Sequence, residues 1–74
     1  MTLGDLRPGE KARVLKIGTQ GMLRQRILDM GITPSVEVKL VKVAPLGDPL
    51  ELTLRGYQLS LRKSDAALIE VERG

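Results

Sequence analysis

Leu50-Glu51-Leu52-Thr53-Leu54-Arg55-Gly56-Tyr57-Gln58-Leu59-Ser60-Leu61 is the stretch whose reading settles the fold class. Leu50, Leu52 and Leu54 alternate with Glu51, Thr53 and Arg55, and Leu59 and Leu61 resume the alternation after Gly56-Tyr57. Two short period-two runs joined by a glycine-containing turn predict a β-hairpin with one buried face. With Gly56 as the first central residue of a type II′ turn, Arg55 pairs with Gln58, Leu54 faces Leu59 and Leu52 faces Leu61.

Working upstream, Val36, Val38 and Leu40 share one face of an extended run, whereas Val41 and Val43 share the other. A flat strand would expose one set, so the change of phase predicts a bulge or barrel corner near Leu40-Val41. Before it, Gln20 to Met30 carries Leu23, Ile27 and Met30 at helical spacing, with Thr19 as the expected N-cap and Gly31 as the left-handed residue after the end. Arg24, Gln25 and Asp29 fall away from that stripe and are expected in water. Lys11 to Ile17 reads as the first strand, and Arg7-Pro8-Gly9-Glu10 before it as a type II turn, with Leu3 and Leu6 plugging one end of the core. Downstream, Ser64 is placed to cap a single helical turn through Asp65 and Ala66, and Ile69 and Val71 alternate with Glu70 and Glu72 in a last strand. Five strands with a short helix between the first two describe an all-β, SH3-like barrel in a single domain, residues 1–74. An OB-fold is the nearest competitor, but its extra helix usually lies later in the chain.

Composition narrows the chemistry. A chain of 74 residues supports one thin core. The absence of Cys and His removes thiolate nucleophiles, disulfides, imidazole acid-base catalysis and the usual zinc ligands. Tyr57 is the only ring, so the aromatic platforms of single-strand nucleic-acid binders are missing. Met1 opens a polar stretch without an apolar signal core, and no run reaches the length of a membrane span, so a cytoplasmic, soluble, non-enzymatic binding module is expected. Its 12 basic and 9 acidic side chains are interspersed, a net charge of +3 that suits acidic partners without forming a nucleic-acid stripe.

The run from Ala44 to Val71, APLGDPLELTLRGYQLSLRKSDAALIEV, resembles the FeoA family, small cytosolic proteins of bacterial ferrous iron transport. The segment from Leu23 to Pro34, LRQRILDMGITP, resembles the family's helix and the turn that leaves it. Ser35 stands where the family often has Gly, which favours a type I turn there over a type II turn. The resemblance implies an SH3-like fold and a regulatory role through contact with the FeoB membrane permease, which carries a cytosolic GTP-binding domain and moves Fe²⁺. The module also resembles the C-terminal domains of DtxR-type repressors. No winged helix-turn-helix precedes the first strand, so a free-standing module is expected.

Partner-contact candidates are Leu46, Asp48, Tyr57, Met22 and Arg24. Leu46 lies between Pro45 and Gly47 and is either an exposed anchor or a lid on the barrel, the lid being favoured because small barrels need caps. Asp48 is placed to meet a basic partner or, the preferred reading, to accept a bond from nearby backbone. Tyr57 suits a contact hot spot, with a ring packed on its own barrel and its hydroxyl in water as the alternative. Met22 is either an adaptable exposed contact or satellite packing, the latter favoured. Arg24, Arg26, Arg62 and Lys63 are expected to be a solvated basic face. Asp5, Asp29, Asp48 and Asp65 stand in no metal-loop spacing, so no cofactor is expected. A small nucleic-acid-binding barrel and an Fe(II) carrier remain the alternative functions, and edge strands leave self-association open.

Overall fold

Leu50, Leu52, Leu54 and Leu61 are all buried, so the hairpin does present one face to the interior. The computed structural model describes residues 1–74. A 3₁₀ turn, Leu3–Asp5, precedes β1 (Lys11–Ile17), α1 (Gly21–Asp29), β2 (Glu37–Val43), β3 (Leu50–Leu54), β4 (Tyr57–Leu61), α2 (Lys63–Ala66) and β5 (Ile69–Arg73). The strands form one sheet in the order β4-β3-β2-β1-β5, antiparallel throughout. The five-stranded SH3-like architecture and the helix between strands one and two are as the sequence predicts.

Two bulges curl this sheet. The β2–β3 register shifts between Leu40 and Lys42, leaving Val41 as the extra residue; Val43 then faces Leu50. That is the phase change visible in the sequence, resolved where expected. The second shift lies between Val14 and Lys16 on β1, so Leu15 turns outward while Ala12, Val14 and Ile17 stay buried. The curled sheet encloses 17 apolar residues in one cluster, Leu3 and Leu6 among them. Ile27 is the one residue of α1 that enters it completely; Leu23, Leu28 and Met30 pack half-buried against its edge. Each such aliphatic side chain contributes about 1.5–3 kcal/mol on burial, so branched and γ-branched residues fill the barrel without an aromatic ring.

The hairpin register differs from the sequence reading. Leu54 faces Tyr57, Leu52 faces Leu59 and Leu50 faces Leu61. The two turn residues are Arg55 and Gly56, both at positive φ (48° and 82°), which makes a type I′ turn. Its twist matches that of the strands, and this compensates for the unusual conformation at Arg55. Parity is unchanged, so the same leucines point inward, but Tyr57 becomes the first strand residue instead of a turn residue.

Three local expectations are also corrected. Ser35 adopts φ 77° and Val36 N–H donates to Thr33 O at 3.1 Å, so the Pro34-Ser35 turn is type II and not type I. Its geometry is imposed from outside: Ser35 N–H donates to Val14 O at 2.7 Å, and Val14 N–H to Val36 O at 2.9 Å. At α1 the N-cap position falls on Gln20, with no side-chain cap bond, and not on Thr19. At α2 the N-cap position is Arg62, not Ser64.

Candidate docking face

The loop 44–49 closes on itself through Ala44 N–H to Pro49 O (3.1 Å) and Gly47 N–H to Ala44 O (2.7 Å). This tight closure pushes Leu46 outward until it is 96% exposed. It is not a lid. Asp48 points the other way, and its Oδ1 accepts the Lys63 backbone N–H at 2.9 Å. A carboxylate on the first amide of a helical turn satisfies an orphan donor and suits the positive end of the backbone dipoles. Asp48 therefore does for α2 what the sequence assigned to Ser64, from 15 residues away.

Along α1 the outer face is polar except at one point. Met22 is 91% exposed, so it is not satellite packing. Arg24 is exposed beside it. Gln25 Nε2 donates to Asp29 Oδ1 at 2.8 Å one turn on. Met22, Leu23, Gln25, Arg26 and Asp29 line an open groove of about 400 Å³. Arg26 Nη2 lies 3.9 Å from Oδ2 of Asp65 on α2, and Asp65 is the only charged residue that is buried, at 8% exposure. Loop, α2 and α1 are thereby linked in series, through Asp48–Lys63 and then Asp65–Arg26.

Tyr57 has a different task. Its hydroxyl donates to Met30 O at the end of α1, although the residue as a whole is 43% exposed. Its hydroxyl is thus engaged by protein instead of pointing into water. Beside it, Gly31 follows the helix at φ 97°, and a Cβ there would overlap the Tyr57 hydroxyl. Arg55 Nη2 donates to Thr33 Oγ1 at 2.9 Å, a second tie between the hairpin tip and the chain leaving α1. Tyr57 and Arg55 fasten the helix C-terminus to the sheet.

Of the five candidates, Met22 and Arg24 share the outer face of α1, and Leu46 and Asp48 share the loop that caps α2. Tyr57 sits at the opposite end of α1 as a clamp. Sequence reasoning missed the Arg26–Asp65 link and the groove; Gln25 and Asp29 at i, i+4 were the available signal for the latter. The carboxylates weighed as oxygen ligands are engaged separately: Asp5 Oδ2 accepts Thr2 N–H (2.8 Å), Asp29 takes Gln25, Asp48 takes Lys63 and Asp65 faces Arg26.

A family model described as the FeoA domain matches residues 1–73. The chain belongs to the FeoA family. Over 72 residues it is 40% identical to an Fe(2+) transport protein A/Fe(2+) transporter FeoB fusion protein of Porphyromonas gingivalis, covering 97% of this chain and 8% of that one. It is 41% identical to the iron(II) transport protein A of Clostridium thermocellum, whose solution structure it matches with a TM-score of 0.95 over 99% of this chain and 45% of that one. The zinc-complexed FeoA of Stenotrophomonas maltophilia, described as a prokaryotic SH3 domain protein, is 26% identical with a TM-score of 0.84, over 97% of this chain and 89% of that one. This FeoA domain thus spans less than half of the first two relatives. No helix in it is long and apolar enough to cross a membrane.

Proposed function

We propose that this chain is a non-enzymatic accessory protein of bacterial ferrous iron uptake that docks on a FeoB-type, GTPase-linked permease. The observation that carries this reading is the P. gingivalis relative, in which a homologous segment is joined to FeoB in one polypeptide. Fusion converts association into an intramolecular event at high effective concentration, an advantage only if the two parts meet. The docking surface in this proposal is Leu46 together with Met22 and Arg24, flanked by Asp48. Two large apolar side chains that are almost completely exposed lose their hydration when a partner covers them, and Met adapts its shape to the surface it meets. The cytosolic GTP-binding domain of the permease is the expected site of contact, and the cytoplasm the expected compartment.

The test is binding of this chain to the full-length permease and to its GTP-binding domain, by biolayer interferometry, with Leu46→Asp and Met22→Asp as variants. Each is expected to weaken binding about tenfold or more, as for an interface anchor, with melting temperatures unchanged because neither residue packs in the core. GTP hydrolysis measured with and without the chain reads the regulatory effect. Absence of binding to permease and domain alike overturns the proposal. Tyr57→Ala is unsuitable as an interface probe, since it also releases the end of α1.

A further inference from the structure

The geometry points to the outer edge of β4 as a second interaction surface, one that accepts an extended, acid-flanked peptide segment as an added strand. In a two-residue hairpin the residues flanking the turn exchange both ladder bonds, so Leu54–Tyr57, Leu52–Leu59 and Leu50–Leu61 are the hydrogen-bonded pairs. Gln58 and Ser60, between them, turn N–H and C=O away from β3. Neither residue takes part in any hydrogen bond outside the strand ladder, and both are exposed. Four main-chain groups, two donors and two acceptors at alternate residues, therefore face solvent in the geometry of a strand awaiting a neighbour.

Edges of this kind are normally protected by charges, proline, bulges or covering chain. The opposite edge of the sheet is covered: Thr2 bridges to Glu70 and Val71 N–H donates to Met1 O at 2.9 Å. β4 has none of these protections. Tyr57-Gln58-Leu59-Ser60-Leu61 contains no charge, proline or glycine, and its register with β3 is regular from end to end.

Charge decides the occupant. Arg55 stands before β4, and Arg62 and Lys63 directly after it, all exposed and none in an ion pair. A second copy added antiparallel about a two-fold axis at Leu59, with each Gln58 opposite the other copy's Ser60, would set Arg55 against Lys63 at both ends. Like charges opposite one another destabilise a strand pair. A neutral extended stretch with acidic residues at each end makes the same four main-chain bonds and pairs with both basic ends. This is strand addition, with main-chain bonds supplying affinity and the flanking charges supplying selection. The inference requires none of the residues on the α1 face and holds for any protein carrying such a segment.

The experiment is a two-dimensional NMR titration of the ¹⁵N-labelled full chain with a capped peptide, Asp-Asp-Val-Thr-Val-Thr-Val-Asp-Asp, and with the same peptide carrying Lys in place of Asp. The acidic peptide is expected to shift the Gln58 and Ser60 amides most and to slow their exchange with solvent. The basic peptide should bind at least tenfold more weakly. Ser60→Pro deletes an outward donor without touching the β3–β4 ladder, and should abolish the response while the remaining amides keep their positions. Ser60→Ala keeps the backbone donor and should bind as the parent does. Equal binding of both peptides, a response centred away from β4, or no response to millimolar peptide overturns the proposal. Dimerisation through β4 that excludes the acidic peptide would instead make a second copy the occupant, and also overturns it.

Discussion

Replacing Gly31 by Ala tests how α1 is held in place, because two separate costs meet at that residue. Gly31 has φ 97°, a conformation that disfavours an L side chain by about 1–2 kcal/mol. The new methyl also overlaps the Tyr57 hydroxyl, so the bond to Met30 O must break, a further loss of about 0.5–1.5 kcal/mol. The sum is about 2.5 kcal/mol, or a drop of about 10–20 °C in melting temperature for a domain of this size. Gly9→Ala is the control: φ is 91° there, but a Cβ meets nothing within 4 Å, so only the conformational cost of about 1–2 kcal/mol applies. Tyr57→Phe completes the cycle. Without the hydroxyl the nearest ring atom, Cζ, lies at an ordinary 3.4 Å from the added Cβ, so Gly31→Ala in the Phe background should cost what Gly9→Ala costs. The coupling of about 1 kcal/mol is read from urea denaturation of the four proteins followed by far-ultraviolet circular dichroism. If Gly31→Ala costs the same in both backgrounds, the hydroxyl does not hold the helix end and the clamp argument fails.

Other perturbations probe the remaining supports of the candidate face. Asp48→Ala removes the acceptor on Lys63 N–H and is expected to cost about 1 kcal/mol, whereas Asp48→Asn keeps an acceptor and should lose less than half of that, both measured by thermal melting. Ser35→Gly relieves a left-handed serine and should stabilise the protein by about 0.5–1 kcal/mol after the added freedom of the unfolded chain is subtracted; a loss of stability would mean the Ser35 side chain contributes something the type II turn does not explain. Ile27→Ala empties the one fully buried position of α1 and is expected to cost about 2–5 kcal/mol, out of roughly 4–11 kcal/mol available to a domain of 74 residues. Urea midpoints measure that loss, and a cost below about 1 kcal/mol would show that the helix is dispensable to the core.

Strand content was legible because each strand has one wet and one dry face, and alternation records that directly. The bulge at Val41 was legible for the same reason, as a break in phase. The bulge on β1 left a similar break, with Ala12 and Val14 in one phase and Leu15 and Ile17 in the other, but only the pairing with β5 shows that Leu15 is the residue that turns outward while Ile17 stays buried. The hairpin register escaped because type II′ and type I′ turns here place the same leucines inward; the choice rests on whether Arg55 accepts positive φ, and that depends on strand twist. Ser35 escaped likewise, since its own bond to Val14 O and the neighbouring bond from Val14 N–H to Val36 O override the local preference of a non-glycine residue.

For the candidate face the division is sharper. Residue type alone nominated Leu46, Met22, Arg24, Asp48 and Tyr57, and family resemblance, together with the missing Cys and His, directed attention to partner binding. Whether a given apolar side chain is covered or bare is not a property of its own segment. Leu46 and Met22 are bare because the loop closes on itself and because α1 commits Ile27, not Met22, to the core. Tyr57 became a clamp and Asp48 a cap only because helices α1 and α2 carry their partners, Met30 O and Lys63 N–H, into reach from distant parts of the chain. Local periodicity reports which face a strand or helix buries; which donor meets which acceptor is decided by the long-range packing that brings those faces together.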